Sequence, residues 1–173
     1  MTKLEVVHYP EPVLRRGGKP VTAFGPELRQ LAEEMLATMY SSRGVGLAAP
    51  QVGRELDLLV LNPEGSLADR TQELVLVNPR ILSRKRLEFG DEGCLSFPGI
   101  YAEVERHRDI VATWQDVEGR VQEGKASGFV ARIIQHEMDH LQGVLFVDRL
   151  SPADRIRVKK QLEALERRAR IAT

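Results

Sequence analysis

The sequence has a single cysteine, no excess charge of either sign and no long apolar run, and each shortage closes off a class of protein. A lone thiol at Cys94 excludes an intramolecular disulfide and points to a reducing compartment. Lys plus Arg and Asp plus Glu both number 25, so the formal net charge is zero and no general attraction to DNA or to an anionic membrane is expected. Apolar runs are no longer than that of residues 58–61, far below the ~20 residues that span a bilayer. The opening MTKLEVVHYPEP lacks the apolar centre of a secretory signal. A cytoplasmic protein with neither DNA nor a membrane as partner is therefore expected. A length of 173 residues suits one domain, residues 1–173, around one hydrophobic core.

What is present falls into helices flanking a run of strands. Gly25-Pro26 places proline at a first helical position, and Leu28, Leu31, Ala32, Met35, Leu36 and Met39 then mark one buried face ending near Tyr40-Ser41-Ser42. Residues 56–61, 73–77, 99–106 and 109–114 read as short strands, separated by Asn62-Pro63-Glu64-Gly65, Asn78-Pro79 and Glu118-Gly119. Charges interleaved through 101–108 suggest antiparallel strands with one wet face. A second helix should run from Ser127 as N-cap to a stop at Gly143, and a third, about 152–171, from Ser151-Pro152, with Val158, Leu162, Leu165 and Ala169 on one stripe. The expected class is α+β: antiparallel or mixed β-sheets around a central metal-binding helix, with an N-terminal and a C-terminal helix.

That central helix carries the stretch QHEMDHLQG, residues 135–143, which contains H-E-x-x-H. At 3.6 residues per turn, His136 and His140 share a face and can reach one ion, while Glu137 beside them can hydrogen-bond a water on that ion. Two histidines four apart are by themselves ordinary helix residues. The intervening Glu moves the pattern towards a catalytic site, which then needs a third protein ligand. Downstream candidates are Asp148, Asp154, Glu163 and Glu166, on or near a helix already explained by its amphipathic stripe. Upstream stands Cys94 in Asp91-Glu92-Gly93-Cys94-Leu95-Ser96. A lone intracellular cysteine is commonly a buried, inert thiol, but beside H-E-x-x-H a Cys-His-His set is the better reading. Phe129, Ile133, His136 and His140 are spaced +4, +3, +4, so an apolar stripe leads to the ion and implies a pocket for a hydrophobic side chain.

Three segments in order, GVGLAAPQ at residues 44–51, EGCLS at 92–96 and QHEMDH at 135–140, together with YPEPVLR at 9–15, resemble the motifs of bacterial peptide deformylase over essentially the whole chain. The resemblance implies a metal-dependent hydrolase that removes the formyl group from the N-terminal formylmethionine of newly synthesised proteins, releasing formate. It implies Cys94, His136 and His140 as ligands of one divalent ion, Fe(II) natively, with nickel, cobalt or zinc as substitutes. It further implies that Glu137 is general acid/base as metal-bound water attacks the formyl carbon. Gln51 and the Leu95 N–H would bind the oxygen of the tetrahedral intermediate, and Glu92, paired with Arg106, would steady the cysteine segment. Backbone groups of Val45 and Gly46 would hold the peptide extended, with Phe129 and Ile133 lining the methionine pocket. Gly44 and Gly46 let the backbone approach a peptide closely. Arg132 and Tyr101 are expected on the rim.

His8 and His107 have no partner pattern and read as structural or solvent-facing. The basic C-terminal helix reads as a solvated face, with ribosome docking, implied by the resemblance, as the functional alternative. A zinc endopeptidase would share H-E-x-x-H but lacks a downstream ligand of plausible placement. A metal-bound interaction module without turnover would have no reason to combine Gln51, Leu95 and Glu137.

Overall fold

The computed structural model describes residues 3–172; Met1, Thr2 and Thr173 of the expected 1–173 domain lie outside the described residues. A short helix α1 (Val13–Arg16) precedes α2 (Pro26–Ser41), whose N1 proline and buried Leu28, Ala32, Met35, Leu36 and Met39 match the sequence reading. Then come β1 (Gly46–Ala48), a 3-10 turn (Ala49–Val52), β2 (Leu58–Leu61), β3 (Leu74–Cys94), β4 (Phe97–Gln115) and β5 (Val121–Ser127). They form one five-stranded sheet in the order β1-β2-β3-β4-β5, antiparallel at every pairing. The chain continues through α3 (Gly128–Leu141), a 3-10 turn (Phe146–Arg149) and α4 (Pro152–Ala172).

The strands are longer than the sequence suggests. Residues 99–106 and 109–114 belong to one strand, β4, and β3 runs straight through Asn78-Pro79 instead of turning there. Register shifts between Val77 and Arg80 absorb the irregularity, as a bulge does. Asn78 takes φ 51°, and its side chain binds both the N–H and the carbonyl of Val21 at 2.8 and 2.9 Å. Its turn chemistry thus ties the N-terminal segment to a strand. Residues 82–87 of β3 are exposed and mostly polar, so no alternation betrays them; pairing with β4, from Arg84↔Ile110 to Leu87↔His107, holds them extended. β1 and β5 have too few apolar residues to announce themselves.

All four residues of β2 are fully buried, each leucine contributing about 1.5–3 kcal/mol relative to exposure. Leu59 and Leu61 pack with Ile133, Ile134 and Leu141 of α3, so the sheet backs the helix that carries H-E-x-x-H. The C-terminal end of α3 is pinned from the other side. The Gly18 N–H donates to the Leu141 carbonyl at 2.9 Å, and a Cβ on Gly17 would meet that carbonyl oxygen at 2.6 Å. A Cβ on Gly143 would collide equally with the Arg15 carbonyl. Both glycines also have φ 71°, so backbone contact without a side chain is required at each. α4 buries Val158 and Leu165 against a cluster that includes Phe97, Ile100, Val104 and Phe146, leaving its basic residues in solvent. The Ser151 hydroxyl caps it by accepting from the Asp154 N–H at 3.2 Å. Ser127 sits at the N-cap of α3 but does not cap; its hydroxyl donates instead to Asp109 at 2.8 Å. Among the described residues no helix is long and apolar enough to cross a membrane.

Candidate metal centre

Cys94 ends β3, one tight turn before β4, while His136 and His140 project from α3 one helical turn apart. The sheet and helix bring one ligand atom from each within 4.8 Å of the other two, and Cys94 Sγ lies 3.4 Å from His140 Nε2. Asp148, Asp154, Glu163 and Glu166 are engaged elsewhere. Asp148 pairs with Arg15 and Asp154 with Arg157, while Glu163 lies near Lys159 and Glu166 accepts from the Tyr9 hydroxyl.

His136 is aimed by its far nitrogen. Nδ1 lies 2.8 Å from Glu92 Oε1, so Nδ1–H donates to the carboxylate and Nε2 is left for the cluster. Glu92 is held in turn by Arg106, whose Nε and Nη2 both donate at 2.9 Å. Burial would raise the Glu92 pKa, but the hydrogen bonds from Arg106 and His136 and their charges outweigh it and hold the carboxyl at about 2. Arg132, expected on the rim, is buried instead. It donates to Glu92 Oε2 at 2.7 Å and to the carbonyls of Val104 and Glu88 at 2.7 and 3.0 Å. A buried carboxylate reached from a distant strand is what draws the arginine inward. Tyr101 is exposed at the mouth, as expected.

Glu137 is 3% exposed, with Oε1 3.6 Å from His136 Nε2. Its Oε2 and the His140 Nδ1 are buried without a hydrogen-bond partner among the described residues. Burial first, against the opposing His136 charge, pushes the Glu137 pKa up to about 7. A buried carboxyl with a spare oxygen beside three soft or borderline donors is suited to handling a proton next to a cation. The donor set of one thiol and two imidazoles fits a divalent transition metal rather than Ca²⁺ or Mg²⁺.

Gln51 is fixed by the turn Ala49–Val52. Its Oε1 accepts from the Ala48 N–H at 2.9 Å, so Nε2 must face the other way, donating to Ser96 Oγ at 3.2 Å and towards Cys94 Sγ at 3.5 Å. A cleft of about 370 Å³ opens beside the cluster, and its lining includes Val45, Gly46, Leu95, Phe129, Ile133 and Glu137. All the residues expected to touch substrate except the buried Gln51 thus border one cavity. The reason for Gly46 differs from expectation: a Cβ there would lie 2.8 Å from Ile133 Cγ2 and 3.0 Å from Glu137 Cγ, so it is α3, ahead of any peptide, that demands glycine. His8 is exposed, and His107 uses its backbone N–H and carbonyl on the Gln135 amide.

Ser96 and Asp139, which lie inside the motif segments but carry no role in the sequence reading, and Arg149 and Phe146, which lie outside them, also contact this assembly. Arg149 donates to Asp139, and the Phe146 ring lies 5.9 Å from that of His136. One signal was available: Arg132, His136 and Asp139 are spaced +4 and +3 on one face of a helix that is otherwise largely buried, and buried polar residues need partners.

The family model for polypeptide deformylase matches residues 3–156. The chloroplastic peptide deformylase 1B of Oryza sativa subsp. japonica is 47% identical over 166 residues, which cover 95% of this chain and 61% of the relative. The peptide deformylase of Alkalilimnicola ehrlichii is 45% identical over 173 residues, covering 99% of this chain and 95% of the relative. The chain thus spans less than two thirds of the rice protein's length and nearly all of the bacterial one's. A crystal structure of a plant peptide deformylase superposes with a TM-score of 0.97 at 43% identity, covering 100% of this chain and 94% of that one. The enzyme from Thermotoga maritima superposes with a TM-score of 0.83 at 40% identity, covering 88% and 100%.

Proposed function

The chain belongs to the polypeptide deformylase family, and on that footing we propose that it is a metal-dependent hydrolase removing the formyl group from the N-terminal formylmethionine of newly synthesised proteins, with release of formate. The observation that carries this reading is Glu137. Its buried, unpartnered Oε2 adjoins the Cys94–His136–His140 cluster at the end of an apolar cleft.

Cys94, His136 and His140 hold one divalent ion, with Fe(II) as the native metal and nickel, cobalt or zinc able to replace it, a choice consistent with one sulfur and two nitrogen donors. When bound, such an ion supplies Lewis acidity, making water a nucleophile near neutral pH and drawing charge from the formyl oxygen. Glu137 takes the proton from the attacking water and returns it to the departing amine nitrogen as the formyl C–N bond breaks. Gln51 Nε2, held by the Ala48 and Ser96 contacts, and the Leu95 N–H donate to the oxygen of the tetrahedral intermediate. The methionine side chain enters between Phe129 and Ile133, while the peptide lies extended along Val45 and Gly46, at the sheet's terminal strand β1. Glu92 and Arg106 keep His136 and the Cys94 segment in register.

The described residues act as a single catalytic domain working in the cytoplasm on nascent chains. The exposed basic residues of α4, including Arg167 and Arg168, suit a contact with ribosomal RNA. The deciding experiment measures formate release from a formyl-Met peptide by the wild type and by Glu137→Ala. Cleavage of an internal peptide bond without formate would make the chain an endopeptidase, and neither reaction with metal bound would leave a binding module.

A further inference from the structure

The Asp139 carboxylate is engaged from two sides. Arg106 Nη1 donates to Oδ2 at 2.6 Å, and Arg149 forks across both oxygens with Nε at 2.5 Å and Nη2 at 2.8 Å. Asp139 and Arg106 are 9% and 4% exposed, whereas the Arg149 side chain is 45% exposed. A continuous string of charged hydrogen bonds therefore runs from the surface to a metal-ligand candidate: Arg149, Asp139, Arg106, Glu92, His136. We propose, resting on the metal-centre reading above, that Asp139 and Arg149 are positioning residues of that centre, acting through Arg106 and Glu92 on the Nδ1 hydrogen bond that aims His136.

Charge requires the second carboxylate. Glu92 by itself faces two guanidinium groups, Arg106 and Arg132, both donating to its Oε2. One anion between two buried cations leaves a surplus positive charge beside His136, where a divalent cation must bind. Asp139 supplies a second buried anion, its other partner Arg149 being half-exposed and screened by solvent, and takes the Nη1 edge of Arg106, which Glu92 does not reach. Without it, Arg106 keeps an unpaired buried N–H and the surplus charge opposes the metal.

Geometry points the same way. Asp139 follows His136 by three residues on α3, so the helix that projects the imidazole also grips the arginine that orients its partner. Arg149 comes from the turn Phe146–Arg149, whose Phe146 ring packs 5.9 Å from the His136 ring. One turn thus backs the imidazole with an apolar face and ties down Asp139 with a bidentate fork. A second cleft of about 300 Å³, lined by Arg106, Gln135, Asp139 and Arg149 and sharing no residue with the lining of the substrate cleft, leaves this end of the string accessible from a separate face.

The test uses Asp139→Asn, Arg149→Ala and Arg149→Lys, with Arg29→Ala, which removes an exposed ion pair to Glu118, as control. The Co(II) dissociation constant is measured by chelator competition, together with the visible spectrum of the cobalt form and the kcat and KM for a formyl-Met peptide at saturating metal. Outer partners of metal-bound histidines typically alter affinity 10- to 100-fold. Asp139→Asn should weaken cobalt binding about tenfold and perturb the ligand-field bands, Arg149→Ala should weaken it several-fold, and Arg149→Lys should recover part of that loss. KM should stay within about twofold, since neither residue borders the substrate cleft. Dissociation constants within about twofold of wild type for both Arg149 variants and for any folded Asp139→Asn would overturn the proposal, even if thermal stability drops. Failure of the wild type to bind cobalt would instead overturn the metal-centre reading itself.

Discussion

Gly46 and Glu137 are in backbone-to-side-chain contact so close that a methyl group on Gly46 would lie 3.0 Å from Glu137 Cγ and 3.2 Å from its Cδ. A glycine in β1 thereby fixes where the carboxylate of α3 stands. Gly46→Ala should displace Glu137 and the neighbouring Ile133 while leaving β1 paired. A misplacement approaching 1 Å at a reacting group costs up to about 100-fold in rate, so kcat for formate release should fall 10- to 100-fold with metal still bound. Unchanged kcat would mean that Glu137 tolerates the shift and is not the proton carrier.

Glu137 sets a pH limit of definite sign. Protein groups alone, burial foremost, put its pKa at about 7, and a cation at Cys94, His136 and His140 acts to lower it. A base works only when ionised, so kcat/KM should fall as pH drops through a pKa below 7 in the loaded enzyme. Glu137→Gln should lose about 100- to 10,000-fold in rate and lose that acid limb. A surviving limb in the variant would assign the titration to another group.

Glu92 makes a stability prediction. Its folded pKa of about 2 lies below the ordinary 4.5, so ionised Glu92 stabilises the fold above about pH 4.5. That contribution is lost as pH falls towards about 2. The shift corresponds to something on the order of 3 kcal/mol. Urea unfolding of the metal-free protein should therefore show Glu92→Gln less stable near pH 7 by about this amount, with the two curves converging near pH 2. A gap independent of pH would mean that the carboxylate's charge is not what matters.

Metal exchange should separate chemistry from fold. A thiolate-bound iron and its cysteine are open to oxidation, so the iron form should lose formate-releasing activity in air while the nickel or cobalt form keeps it. Equal persistence of the iron form would count against Fe(II) held by Cys94.

Ribosome association can be probed without cutting α4. Removing the helix would uncover the cluster that Val158 and Leu165 complete, so charge reversal is cleaner. Arg167→Glu with Arg168→Glu should weaken co-sedimentation with ribosomes, and wild-type binding should fall steeply with salt. Salt-insensitive binding would remove the RNA contact.

The chemistry was far more legible than the scaffold. His136 and His140 stand out by helical spacing with Glu137 between them, and Cys94 by the need of that pattern for a third ligand. The segment from 82 to 87 was silent because both faces are wet, and its extended form comes from pairing with residues 107–111, which no local pattern encodes. Asn78-Pro79 carries true turn chemistry, used to anchor Val21 across a bulge. Arg132 lies inside and not on the expected rim; an arginine on a helix ordinarily seeks solvent, and the carboxylate that draws it inward lies 40 residues upstream.

The seam between Gly17 and Gly143 bears on the order of the protein's own synthesis. The Arg15 guanidinium and the Gly143 carbonyl that meet there are 128 residues apart in sequence. While a ribosome is making this chain, the segment around Arg15 waits for Gly143 before this end of α3 can be seated against it. Cys94 waits as well, for two histidines that emerge more than forty residues later. The cluster of Cys94, His136 and His140 therefore cannot assemble until the chain has emerged past residue 140.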